Sequence, residues 1–224
     1  MSVTTPLGFR ASGVTAGLKA SGKPDVALVV NDGPHHHAAA VFTTNRVEAA
    51  PVTWSRTVIS DGRADAVVLN SGGANACTGA PGFQDTHRTA EHVGEVLRVA
   101  AGDVVVCSTG LIGERLPMGL LLPGVEAAVE ELSVDGGPAA ATAIMTTDSV
   151  PKTATAVRDG WSVGGMAKGA GMLAPALATM LVVITTDAVI EGAHVADDLD
   201  AVLRSATAMT FDRIDSDGCM STND

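Results

Sequence analysis

Four short apolar runs, rich in valine, constrain the fold of this 224-residue chain more than any other feature. Each run is too brief for an independent helix and is flanked by polar residues or glycine, as is typical of buried strands. The runs are residues 26–30, 39–42, 66–69 and 104–106. Because helical patterns lie between and after them, the sequence predicts a mixed α/β chain.

Two segments have the spacing of amphipathic helices. Within residues 86–100, one face carries regularly spaced apolar residues, and Asp85 is in position to act as the N-cap. A second helical face comprises Leu199, Val202, Leu203 and Ala206. Between residues 153 and 166, two extended halves flank Asp159-Gly160, a strong hairpin signal.

The charge balance argues against partners that carry many phosphates. Lysine and arginine total 14 against 25 aspartate and glutamate, a net charge of −11, and no basic cluster is present. Nucleic acid and anionic membrane surfaces would be repelled, so neither is expected as a partner. The N-terminus lacks the pattern of a signal peptide, and the three cysteines have no disulfide or zinc spacing, so we expect a cytoplasmic protein.

The histidines are weak candidates for a metal site or a general base. His35, His36 and His37 are consecutive, so their side chains diverge, and an exposed loop is the favoured interpretation. His87 and His92 lie five residues apart, which is not the spacing of a helical metal site, and a solvated helix face is expected.

Two other motifs resemble ligand sites only in part. Residues 169–174 fit the dinucleotide pattern GxGxxA, but Pro175 would interrupt the required helix and the strand-like run follows the motif instead of preceding it. Residues 215–218 resemble the start of a calcium loop without its closing glutamate, so a polar turn is expected.

Thr179 stands where a glycine-rich stretch meets the strand-like run of residues 180–184. A threonine hydroxyl is a poor nucleophile without an adjacent base, and its own α-amino group, with a pKa of roughly 7.7–8, can serve as one. That amine exists only if the chain is cut between Ala178 and Thr179. On spacing alone, the favoured alternative is that Thr179 simply begins a core strand.

Five segments together resemble the glutamate N-acetyltransferase/ornithine acetyltransferase family of arginine biosynthesis, in its actinobacterial form. They include the motifs SGGANACTG, STGLIGERLPM and IMTTDSVPK, followed by GGMAKGAGMLAPALATML and DSDGCMSTND, in the order found in the family. The resemblance runs along most of the chain. It implies a layered sandwich of sheets and helices, distantly like the N-terminal nucleophile hydrolases.

The resemblance also implies that the chain cuts itself between Ala178 and Thr179. Residues 1–178 would be the α chain, and residues 179–224 would be the start of a β chain that is truncated relative to the family. Thr179 would then be the acetyl-accepting nucleophile, with its own amine as general base.

The same resemblance implies roles for four further residues. Thr109 and Gly110 would stabilise the oxyanion, and Thr147 and Lys168 would bind substrate together with Thr179. For a lysine taken without the resemblance, a solvated surface charge is the expectation.

The implied reaction is a ping-pong transfer of the acetyl group from N2-acetyl-L-ornithine to L-glutamate, without a metal or prosthetic group. Use of acetyl-CoA as a second donor is left open by these residues. The family also implies an assembly of two α and two β chains. The alternatives are a self-processing N-terminal threonine hydrolase or aminopeptidase, and a non-catalytic α/β binding module.

Overall fold

A four-stranded sheet forms the centre of the computed structural model, which describes residues 1–170, 179–214 and 220–224. Its strands, in the spatial order β1-β2-β3-β4, are β1 (Phe9–Val14), β2 (Val26–Asn31), β3 (Ala66–Gly73) and β4 (Val104–Leu111). The first three strands are antiparallel, and β4 lies parallel to β3. The parallel pair places the carboxyl ends of β3 and β4 at the same edge of the sheet.

Helices and a second sheet cover the two faces of this first sheet. The helices are α1 (Ala50–Val58), α2 (Gly79–Leu97), α3 (Met118–Glu130), α4 (Gly137–Ala143) and α5 (Val195–Met209). The second sheet is antiparallel, in the order β5 (Lys152–Arg158), β6 (Trp161–Lys168) and β7 (Leu181–Thr186).

The alternation of side chains along β2 separates two hydrophobic cores. Val26, Leu28 and Val30 point towards one core, which also contains buried residues of α2 and α3. Ala27 and Val29 point towards the other, which contains residues of α4, β6 and β7. The result is the layered α/β sandwich expected from the sequence.

Most of the predicted strands are confirmed, including the hairpin around Asp159-Gly160. The strand-like run of residues 180–184 is also confirmed, as β7. The strand predicted at residues 39–42 is wrong. The amide beyond it, that of Thr43, donates to the Asp224 carbonyl, and Phe42 packs in a small separate cluster with Val52. The apolar residues of this run therefore lie in a loop and not in a sheet.

Both predicted helices are present, with corrections. The first begins at Gly79, so Asp85 is not its N-cap; it is buried within α2 and accepts two hydrogen bonds from Arg115, at 2.6 and 2.8 Å. His92 is also mostly buried, because α2 packs against α3, where Glu126 lies 3.0 Å from its Nε2 atom. The second helix, α5, leaves Val202 exposed.

No helix of the described residues combines the length and hydrophobicity needed to cross a bilayer.

Replacement of Leu28 by alanine tests the first core. Leu28 is 0% exposed, so its truncation leaves a cavity, and we expect the free energy of unfolding to fall by about 2–5 kcal/mol. Leu120→Ala is the control, because Leu120 is 46% exposed and its loss should cost less than about 1 kcal/mol. Equal denaturation midpoints for the two variants would contradict the placement of Leu28.

Candidate active site

Lys168 joins the two sheets through a buried amine. It is the last residue of β6, and it is only 1% exposed. Its Nζ atom donates to Thr109 Oγ1 at 2.9 Å and to the Thr179 carbonyl oxygen at 2.5 Å. The expectation of a solvated surface lysine is therefore wrong, and three predicted site residues, distant in sequence, meet at one nitrogen.

Burial changes the acidity of the Lys168 amine. Loss of solvation lowers the pKa of Lys168 from 10.5 to about 8, although the carboxylates of Asp148 and Asp224 favour the charged form. Lys152 and Lys19 add like charge and lower the pKa of Lys168 further. Near neutral pH this amine is thus a cation that gives up its proton more easily than an ordinary lysine.

Thr109 and Gly110 lie near the end of β4, beside β3. Thr109 is fully buried, and because its oxygen accepts from Lys168, its own hydroxyl proton is free to be donated elsewhere. Gly110 has a φ of +133°, and a Cβ atom there would lie 2.6 Å from the Gly72 carbonyl carbon. Only glycine fits this close approach of the two parallel strands.

Thr179 lies two residues before β7 and is 5% exposed. Its Oγ1 atom lies 3.2 Å from Ser221 Oγ. The next amide along the chain, that of Met180, donates to Asp224 Oδ1 at 2.7 Å. The predicted nucleophile is therefore held on one side by Lys168 and on the other by the segment of residues 220–224.

The segment of residues 220–224 was not assigned any role from the sequence, yet it forms one wall of the site. The Asn223 amide group donates to the carbonyls of Ala74 and Ser108, at 2.6 and 3.0 Å, and so lies across the ends of β3 and β4. The Ala49 amide donates to the Thr222 carbonyl at 2.9 Å. A run of four short polar residues was the available signal, but such a run is equally typical of an exposed loop.

Thr147 lies on the loop between α4 and β5, where it is exposed. Its neighbour Asp148 is buried and accepts from the Gly169 amide at 2.8 Å and from the Lys152 amine. The loop is thus fastened to the residue that follows Lys168. Among the described residues, Thr147 has no hydrogen bond to the group formed by Lys168, Thr109 and Thr179.

The remaining sequence candidates lie elsewhere. His35 and His37 are exposed, as expected, whereas His36 is half-buried with its Nδ1 atom 2.7 Å from Asp65 Oδ1. Ala178, the end of the GxGxxA motif and the calcium-like turn fall outside the described residues. Within the part of the chain that the structure describes, no group of three or more His, Cys, Asp or Glu side chains could hold a metal ion.

The arrangement suits acyl transfer. It combines a buried threonine hydroxyl that can act as a nucleophile, a second hydroxyl whose proton can be donated to a developing oxyanion, and a cation that hydrogen-bonds to that second hydroxyl. Burial strengthens each of these interactions, because little solvent competes with them.

Comparison with known proteins gives one consistent family. The model of the ArgJ family matches residues 10–224. The proteins called "Arginine biosynthesis bifunctional protein ArgJ" from Streptomyces coelicolor and Thermobifida fusca are 67% and 64% identical over 224 residues. This chain is covered completely in both matches but spans only 57% of the length of each relative.

Solved structures agree with this result. Ornithine acetyltransferase from Mycobacterium tuberculosis, solved in complex with ornithine, is 59% identical with a TM-score of 0.76, and the match covers 79% of this chain and 96% of the solved chain. ArgJ from Bacillus halodurans is 36% identical with a TM-score of 0.70, over 81% of this chain and 95% of the solved one.

The buried amine gives a test of the site's electrostatics. Because the folded chain releases the Lys168 proton more easily than the unfolded chain does, the charged amine costs stability below about pH 8. That cost is relieved as the pH rises from about 8 to 10.5, by up to about 3 kcal/mol. Lys168→Met should lose this rise in unfolding free energy, measured by denaturant titration, whereas Lys23→Met, at an exposed lysine, should keep it. An identical pH dependence in all three proteins would contradict the burial of the amine.

Proposed function

We propose, since this chain belongs to the ArgJ family, that it carries the nucleophile of an enzyme of arginine biosynthesis. In this proposal the enzyme transfers the acetyl group of N2-acetyl-L-ornithine to L-glutamate. The observation that carries the proposal is the buried contact of Lys168 with both Thr109 and Thr179. It brings the predicted nucleophile and the predicted oxyanion donor to one place.

The proposed nucleophile is the Thr179 hydroxyl, after the bond between Ala178 and Thr179 has been cut. Its freed amine takes the hydroxyl proton, and the oxygen attacks the acetyl carbon of acetylornithine. Collapse of the tetrahedral intermediate expels ornithine and leaves an acetyl ester on Thr179. The amine of glutamate then attacks that ester, which regenerates the hydroxyl and completes a ping-pong cycle.

Thr109 and Gly110 are proposed to stabilise the oxyanion of both tetrahedral intermediates. The Thr109 hydroxyl can donate its proton, since Lys168 already donates to its oxygen, and a nearby cation makes that hydroxyl a stronger donor. The backbone amide of Gly110 would supply the second hydrogen bond.

Lys168 and Thr147 are proposed to contact the substrate. An ammonium group has three protons, and the structure uses two of those on Lys168 for Thr109 and Thr179. The third can reach a carboxylate of the bound amino acid. Thr147 lies on the loop that Asp148 ties to Gly169, the residue after Lys168, which supports a place for Thr147 near the same ligand.

The lengths of the relatives support cleavage of the chain into two parts. The match between this chain and the curated protein from Mycobacterium tuberculosis covers only 56% of the curated protein's length. The solved chain of the ornithine acetyltransferase from the same species is 96% covered by only 79% of this chain. The solved polypeptide is therefore much shorter than the curated one, which fits an α chain that ends near residue 178. An assembly of two α and two β chains is part of this proposal.

Cleavage is tested by intact-mass measurement of freshly purified protein. We expect two fragments whose masses correspond to residues 1–178 and to a chain that begins at Thr179. Thr179→Ala removes the attacking hydroxyl and should leave the chain uncut, whereas Thr179→Ser keeps a hydroxyl and should still be cut. An uncut native chain, or a cut Thr179→Ala chain, would refute self-cleavage at this bond.

Acetyl transfer is tested by following both products of the reaction. Protein supplied with acetylornithine and glutamate should form N-acetylglutamate and ornithine in equal amounts. Release of free acetate at the same rate with or without glutamate would instead identify a threonine hydrolase. Replacement of acetylornithine by acetyl-CoA in the same assay tests the second donor.

The oxyanion role is tested by Thr109→Val, which preserves the shape of the side chain and removes the hydroxyl. We expect kcat for acetyl transfer to fall roughly 10²–10³-fold with little change in KM, as for the loss of one oxyanion donor. Thr109→Ser retains the hydroxyl and serves as the matched control. Unchanged kcat in Thr109→Val would exclude this residue from the oxyanion hole.

A further inference from the structure

Self-cleavage raises a chemical problem that the freed amine of Thr179 cannot solve. In the uncut chain that nitrogen belongs to the peptide bond between residues 178 and 179, and its electron pair is delocalised into the carbonyl. It cannot accept the hydroxyl proton. If the proposed function is correct, another group must take this proton when Thr179 first attacks the preceding carbonyl.

The structure places a hydroxyl and a carboxylate in line with Thr179. Ser221 Oγ lies 3.2 Å from Thr179 Oγ1, and Ser221 is also close enough to the Asp224 carboxyl, as a hydrogen-bonding group, to lower the pKa of Asp224. The backbone N–H of Asn223 donates to Ser221 Oγ at 3.0 Å and helps to fix the orientation of the serine side chain. A hydroxyl can accept one proton while it donates another, so the three side chains form a continuous path.

We propose that, in the uncut chain, Ser221 accepts the proton of the Thr179 hydroxyl and passes its own proton to Asp224. Ser221 touches the reacting oxygen directly. Asp224 acts through Ser221, and it also holds the amide of Met180, next to the nucleophile, at 2.7 Å. The segment of residues 220–224 is thus part of the cleavage machinery.

The surroundings of Asp224 make it a better base than a solvated carboxylate. Burial raises the pKa of Asp224 and outweighs the opposing effects of Ser221, the Met180 amide and the charge of Lys168. Lys168, on β6, is the charged group of the described residues that acts on this carboxylate. A raised pKa brings a carboxylate closer to the working pH, where general base catalysis is most effective.

Lys168 is the other basic group at the site, but its amine is not bonded to the Thr179 hydroxyl. Its amine donates to the carbonyl oxygen of Thr179 and to Thr109 Oγ1. Among the described residues, the side-chain hydrogen-bond partner of Thr179 Oγ1 is Ser221. Lys168 therefore belongs to the oxyanion side of the site, and Ser221 with Asp224 to the side of the nucleophile.

The step balances with water as its one further reactant. The Thr179 oxygen forms a bond to the carbonyl carbon of residue 178 as its proton moves to Ser221 and the Ser221 proton moves to Asp224. The carbon–nitrogen bond then breaks, and the Thr179 nitrogen takes up the proton that Asp224 had received. Water hydrolyses the resulting ester, which releases the carboxyl group of residue 178 and restores the Thr179 hydroxyl.

The test compares cleavage rates of freshly synthesised chains, followed by mass spectrometry over a range of pH. Ser221→Ala and Asp224→Asn should each be cut at least about 10²-fold more slowly than the native chain, the usual effect of losing a general base. Ser12→Ala is the matched control, because the buried Ser12 hydroxyl donates to the Ala128 carbonyl and not to Thr179, and it should be cut at close to the native rate. Circular dichroism of each uncut chain reports whether it has folded.

The pH profile separates a proton acceptor from a structural contact. The native cleavage rate should rise with pH through the raised pKa of Asp224, and the residual rate of Asp224→Asn should lose this dependence, while Asp224→Glu should recover part of it. If Ser221→Ala and Asp224→Asn are cut at the same rate as the native chain and with the same pH dependence, the relay is overturned and the proposed function is left intact. A native chain that is never cut would overturn both.

Discussion

The site depends on a single buried cation that has to be paired. An ammonium group removed from water without partners costs several kcal/mol, so the fold must bring acceptors to Lys168. They come from two distant parts of the chain, the Thr109 hydroxyl on β4 and the Thr179 carbonyl before β7. The pairing of β6 with β7, and the packing of this second sheet against the first, bring both acceptors to the amine.

A second constraint comes from the polar segment of residues 220–224. Ser221, Thr222 and Asn223 of this segment are buried, so each of their polar groups needs a partner. Asn223 bonds across the carboxyl ends of the parallel strands β3 and β4, and Asp224 bonds to the amide of Met180. The segment therefore joins the same two sheets that Lys168 joins, from the opposite side of Thr179. Thr179, the proposed nucleophile, lies between two independent links, which restricts the positions that its hydroxyl can adopt.

The parts of the fold that depend on local sequence were predictable. Three of the short apolar runs form buried strands of the first core, as their valines indicate, namely those of Val26, Val68 and Val106. The pair Asp159-Gly160 specifies a tight hairpin. The errors arose where tertiary contacts decide the structure. The buried carboxylate of Asp85 is paired with the exposed Arg115, thirty positions away, and an ion pair of that kind leaves no periodic signal.

The same distinction applies to the active site. Thr109, Gly110, Lys168 and Thr179 were predicted through resemblance, whereas the place of Thr179 before a strand favoured a purely structural threonine. The burial of Lys168 and the contacts of Ser221 and Asp224 could not be read from the sequence. They depend on hydrogen bonds between segments more than forty residues apart, and short polar residues near a turn are equally consistent with solvent exposure.

The most direct test of the account is to find the atom that carries the acetyl group. Protein mixed with acetylornithine in the absence of glutamate is quenched in acid, digested and sequenced by tandem mass spectrometry. One acetyl group is expected on the Thr179 hydroxyl, as an ester that is cleaved by hydroxylamine and lost when glutamate is added before the quench. An acetyl group on any other side chain, or steady transfer of acetyl groups without an ester on Thr179, would contradict it.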